Sequence, residues 1–143
     1  MEKDLNYLIN KANILRKHVI EMVARQGKGY VQQGLGASDL FSVLFFNELK
    51  NINIVSNINR DRFFLSTAHN SALFHATMAE KGLINIDSLE DYCLDGSPLE
   101  INVSERLGPF VEATCGSLGQ GLSVAIGMAL SAKRRKLKSR FYV

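Results

Sequence analysis

The stretch best equipped for chemistry is "EATCGSLGQGLSVAIGMALSAKRRK", Glu112 to Lys136, where Gly116, Gly119 and Gly121 crowd one turn ahead of a run of small residues. Free backbone amides at a helix start attract anions, so a glycine-rich turn here can cradle a phosphate. The spacing is G-x-x-G-x-G, whereas the dinucleotide fingerprint is G-x-G-x-x-G and follows a strand. No G-x-x-x-x-G-K-[ST] exists in the chain. A tight turn with close helix packing is the competing explanation. His69, in "LSTAHNSALF", lies between an expected strand and an expected helix. Ligands of open α/β sheets bind at the carboxyl ends of strands. An imidazole there can donate to a phosphate or shuttle a proton, and a structural histidine is the alternative. His75 falls on a different face of the same helix from His69, and His18 sits within the first helix and requires no function. Glu112 and Asp39 have no carboxylate partner at a spacing suited to paired acid–base work. Cys115, beside the turn, is either activated by the helix start or buried and inert.

The elements that must position these groups follow from periodicity. Leu5, Leu8, Ile9, Ala12, Leu15, Val19, Met22 and Val23 form one apolar stripe, which predicts a helix from about Lys3 to Gln26 with Gly27 as its C-cap. "GKGYVQQGLG" reads as a break, and the next helix is expected from "ASDLFSVLFFNEL", capped by Ser38 or Asp39, with Phe41, Leu44, Phe45 and Leu49 buried. "RFFLS", Arg62 to Ser66, is an unbroken apolar run and reads as a buried strand. A helix over Ser71 to Lys81, closed by Gly82, completes half of a βαβ unit. "IDSLEDYCLDG" predicts a short helix with Asp87 and Glu90 as a capping box. The segment holding both prolines, Pro98 and Pro109, reads as irregular surface. Leu122 to Lys138 is expected to be a small-residue helix, and "RFYV", Arg140 to Val143, a second buried strand. Parallel strands buried on both faces need neighbours, so this pattern suggests part of a larger sheet.

The totals bound the class. The chain has 143 residues, 46% of them hydrophobic, and a formal charge of +3, which suit one soluble globular domain. No run approaches the ~18 consecutive apolar residues of a membrane helix, and the charged N-terminus is not a signal peptide. Cys93 and Cys115 lack metal-ligand spacing and read as reduced thiols of a cytoplasmic protein. The basic run Lys133 to Arg140 reads as a solvated helix end, and no nucleic-acid motif accompanies it.

Taken in order, three stretches resemble the N-terminal part of transketolase: "RDRFFLSTAHNSALFHATMAEKG", "SPL" at Ser97 to Leu99, and "VEATCGSLGQGLSVAIGMALSAK". The family reads close to R-D-R-F-x-L-S-x-G-H-x-x-x-x-L-Y-A, then S-x-L-x-G-H-P, then V-E-x-S-T-G-S-L-G-Q-G-L-x-x-A-x-G-M-A. "GLGASDLFSVLFF" resembles its S-L-S-A-A-D-L segment. The resemblance implies an α/β fold: the front of a thiamine-diphosphate-binding, parallel-sheet domain, helix-rich in this portion, spanning 1–143 with no second domain. It implies thiamine diphosphate with magnesium as cofactor. Gly116, Ser117, Leu118 and His69 would lie at the cofactor, with His69 also near the reacting carbon. The implied reaction of the parent enzyme moves a two-carbon ketol unit between sugar phosphates, through carbanion chemistry supplied by the cofactor.

The departures from the family are specific. Tyr30 and Asn102 stand where the family has histidines that face the sugar, Ala68 replaces the glycine before the retained histidine, and Cys115 replaces the threonine before the turn. An altered substrate and a relaxed, inactive copy are both consistent with these changes. The family's Gly-Asp-Gly metal motif and its separate pyrimidine-binding domain have no counterpart in these residues, so no metal ligand is expected here. The chain alone is expected to be inactive, needing a second chain or a dimer partner. A non-catalytic module that pairs with another thiamine-enzyme chain is the alternative.

Overall fold

The computed structural model describes residues 4–143. The chain forms two compact units: residues up to 48 with 69–102, and residues 49–68 with 103–143.

The first unit is helical. α1 (Leu5–Gln26) ends on Gly27 in the left-handed conformation, φ 63°, whose amide donates to Val23. Its apolar stripe is buried from Ala12 through Leu15, Val19, Met22 and Val23, but Leu5 and Ile9 are exposed, so the N-terminal turns do not join the core. The expected start at Lys3 lies outside the described residues. α2 (Val31–Val43) begins well before the expected "ASDLF" and absorbs most of the expected break. Tyr30 is its N-cap and makes no side-chain cap bond, so the start carries no polar signature. Gly34 belongs inside this helix because a Cβ there would meet Val19 of α1 at 2.9 Å. The close approach of two helices overrides glycine's poor helix propensity. Ser38 and Asp39 therefore do not cap: the Ser38 hydroxyl donates to Gly34 one turn back at 2.7 Å, and Asp39 pairs with Arg16. A π-helical turn, Leu44–Glu48, extends α2 and turns Phe45 and Phe46 both inward, with Leu44 half-buried. α3 (Ser71–Glu80) is buried along nearly its whole length and packs on α1 and α2. The 3₁₀ turn Ile86–Asp91 is capped by the Asn85 side chain, which accepts from the Asp87 amide, rather than by Asp87 itself. Glu90 pairs with Arg25 instead of closing a capping box.

The second unit holds a small parallel sheet. β1 (Arg62–Phe63) pairs with β2 (Phe141–Tyr142), Arg62 opposite Phe141 and Phe63 opposite Tyr142. Phe63, Phe64 and Leu65 are buried as the apolar run predicts, while Phe141 and Tyr142 are only half-buried and Val143 is exposed. α4 (Gln120–Arg134) starts earlier and stops sooner than expected, and it buries Gly121, Ala125 and Ala132. The proline-bearing segment is irregular but not a surface feature of this unit: Val103, Leu107, Phe110 and Val111 are core residues. Asp61 anchors both ends of the sheet region, accepting from the Lys50 amide at 2.9 Å and from the Arg140 guanidinium at 2.6 Å. Among the described residues no helix is long and apolar enough to cross a membrane.

Candidate functional site

His69 sits in a 3₁₀ turn, Ala68–Asn70, that follows β1 and leads into α3. It is half-buried. Its imidazole meets the ring of Tyr30 edge to face, with centroids 4.9 Å apart and planes at 79°. The first unit thus brings together His69 and Tyr30, two of the residues singled out in the sequence. Asn102 lies at the end of the same unit and is exposed, just past the buried Leu99.

The second unit carries the glycine turn, and its glycines have different reasons. Gly119 takes φ 87° as the N-cap of α4, a conformation that side chains oppose. Gly121 is pressed against Ser66: a Cβ would fall 2.8 Å from the Ser66 Cβ, and its amide donates to the Ser66 hydroxyl at 3.2 Å. The close-packing explanation therefore accounts for Gly121. It does not account for Gly116, where an added Cβ would meet nothing within 4 Å. Ser117 is exposed, and Leu118 is 66% exposed with its apolar side chain facing no core. The turn thus leaves open space at Gly116 beside an exposed Leu118.

Cys115 is buried beside this turn. Burial, with the Glu105 carboxylate nearby, pushes its thiol above the ordinary range. That removes the activated-thiol option and leaves an inert core residue. Cys93 is likewise a free thiol held above its ordinary range, mainly by burial. Among the described residues no cluster of three or more His, Cys, Asp or Glu side chains could hold a metal ion.

Three residues that carry much of this geometry have no role in the sequence-based expectations. Ser66 holds the first turn of α4, and its signal is its place at the end of the strand run. Glu112, read as an isolated carboxylate, forms a nearly buried ion cluster: its side chain is 4% exposed and pairs with Arg60, which is 3% exposed, and with Arg62 at 2.7 Å. The partners lie fifty residues upstream, beyond any local spacing rule. His75 is fully buried, and its Nε2 lies 2.9 Å from the carbonyl of Glu100. Burial drives its pKa down to about 4, against a smaller upward pull from the Glu100 bond, so the ring is neutral at pH 7.

The chain matches the family model described as "Transketolase, thiamine diphosphate binding domain" over residues 9–141. A 6-deoxy-6-sulfo-D-fructose transketolase subunit of Clostridium is 32% identical over 140 residues, covering 94% of this chain and 50% of the relative. An apulose-4-phosphate transketolase subunit of Actinobacillus succinogenes is 30% identical over 138 residues, covering 95% and 50%. The crystal structure of transketolase from Campylobacter jejuni superposes with a TM-score of 0.81 at 29% identity, covering 94% of this chain and 21% of that one. The chain thus spans half or less of the length of these relatives. With the family model running through nearly every residue, and with the fold of a solved transketolase reproduced, this chain belongs to the transketolase family, in its thiamine diphosphate binding domain.

Proposed function

We propose that the chain forms the front of the cofactor-binding domain of an enzyme that moves a two-carbon ketol unit between sugar phosphates in the cytoplasm. The observation that carries this reading is Gly116, a glycine that no atom of the chain requires, next to a free-standing Leu118. By the family resemblance, main chain at Gly116 and Ser117 and the Leu118 side chain would hold thiamine diphosphate. By the same resemblance His69 would offer an imidazole to the cofactor, and its ring stands edge to face with Tyr30. When bound, the cofactor supplies the carbanion stabilisation that no amino-acid side chain offers. Tyr30 and Asn102 face the sugar with a phenol and an amide. The family resemblance places imidazoles at both positions. The diphosphate charge calls for a divalent cation held by oxygen ligands, and the residues described here do not build such a site. By the family resemblance, the metal ligands and turnover would come with further polypeptide.

The names of two relatives contain the word "subunit". This favours an assembly reading, in which the chain contributes its half of the site to a complex. Calorimetry of thiamine diphosphate and magnesium against the 143-residue chain tests the proposal. The expected result is no tight binding to the chain alone and binding once the complementing polypeptide is present. Tight binding by the chain alone would overturn the shared-site view.

A further inference from the structure

We propose that His75 is a positioning residue that sets where Asn102 stands, by holding the main chain just ahead of it. The proposal rests on the reading of Asn102 as a sugar contact. α3 is buried from Ser71 to Ala79, and His75 is 0% exposed within it. An imidazole in such a place is costly unless it makes a hydrogen bond. It makes one, from Nε2 to the Glu100 carbonyl at 2.9 Å. A carbonyl only accepts, so Nε2 carries the proton and Nδ1 keeps its lone pair. That Nδ1 is buried with no partner. A purely space-filling role would be served better by an apolar ring, which leaves no orphaned atom. The residue is therefore explained by its one bond.

The far end of that bond matters because Asn102 stands just beyond it in the chain. Residues 97–102 belong to no helix or strand. Leu99 is buried, its amide donates to the Ser97 hydroxyl at 3.1 Å, and its carbonyl accepts from the Cys93 amide at 2.8 Å. His75 adds the next anchor, at Glu100, after which Ile101 and Asn102 emerge at the surface. The imidazole itself is kept from swinging by Tyr92, whose ring lies 5.9 Å away at 61° and whose hydroxyl is 3.2 Å from the Ser71 hydroxyl. One rigid helix thereby fixes the backbone that presents Asn102.

The test compares His75→Phe, which keeps an aromatic ring without the donor, with His75→Gln, whose amide nitrogen can reach the same carbonyl. Backbone order parameters of Glu100, Ile101 and Asn102 in the full chain are expected to fall from about 0.85 toward about 0.6 in His75→Phe and to recover in His75→Gln. The α1 and α3 values should stay unchanged in both. In the catalytically complete enzyme, His75→Phe and Asn102→Ala should each raise the sugar KM by roughly tenfold with kcat little changed. Unchanged order parameters in His75→Phe, or equal loosening in both His75 variants, would sink the tether. A loosened segment with no effect of Asn102→Ala on KM would overturn the proposal through Asn102 instead, and the two failures are told apart by which readout moved.

Discussion

His69 and His75 are close in sequence and opposite in circumstance. His69 is half-buried at the head of α3, against Tyr30. His75 is sealed inside and neutral, with its pKa lowered to about 4 by burial. The sign of the resulting pH effect is fixed. An unfolded histidine takes up its proton near pH 6.5, whereas the folded one resists until about pH 4. Stability is therefore fully present above pH 6.5 and falls as pH drops through that window, by ~3 kcal/mol at its lower end. Asp61 and Glu80 do not obscure the effect in the upper part of the window. Burial raises each carboxyl, but the bonds from Arg140 and Lys50 to Asp61, and from Lys11 and His18 to Glu80, outweigh it and leave both pKa values lowered. Their contributions are lost only at lower pH. Urea unfolding at pH 7 and pH 5 should show the decline in the parent chain and a flatter response in His75→Phe.

At the scale of elements, the glycine turn separates two roles that share one motif. Gly121 lets α4 lie against Ser66, and Gly116 faces open space. Gly121→Ala forces a Cβ onto Ser66, with backbone as near as 3.0 Å. It should cost about 1–3 kcal/mol of stability, read from the urea midpoint. A Cβ at Gly116 meets nothing within 4 Å and Leu118 is 66% exposed, so Gly116→Val and Leu118→Ala should change stability by less than about 0.5 kcal/mol. Both should nevertheless weaken thiamine diphosphate retention by the complete enzyme, measured by equilibrium dialysis. Retention unchanged in Gly116→Val would remove the observation on which the proposed function stands. The helix itself leaves Leu122, Ile126 and Leu130 exposed, so its small residues serve only one narrow buried edge in this chain.

At the scale of the whole molecule, each unit has its own apolar core and its own ion pairs. The helical unit relies on apolar packing around Leu15, Val19, Phe45, Leu73 and Met78. The sheet unit packs a two-stranded parallel sheet, α4 and an irregular segment around Phe63, Phe64, Leu107 and Phe110, and adds buried ion pairs. Glu112 joins the irregular segment to Arg60 and Arg62, and Asp61 joins Lys50 to Arg140. Removing one member of a buried pair leaves the other charge uncompensated, which costs about 3–5 kcal/mol. Glu112→Ala should accordingly unfold the sheet unit selectively. Amide exchange should accelerate at Phe64, whose amide donates to Tyr142, while α1 and α3 keep their protection. Uniform loosening of both units would contradict this.

The amino-acid sequence by itself determined the local and the patterned: α1 and its glycine cap, the buried run at Phe63 to Leu65, α3 with its Gly82 stop, and the ordered motifs that mark the family. These are legible because periodicity, caps and glycine turns act over a few residues. The start of α2 was hidden, since Tyr30 caps nothing with its side chain and Gly34 is helical only because α1 lies against it. The partners of Glu112, the seat of α4 on Ser66 and the reach of His75 to Glu100 were decided by tertiary structure. Each joins residues far apart in the chain. Burial, which turns a carboxylate into half of an obligatory pair and a histidine into a neutral donor, exists only once the chain has folded.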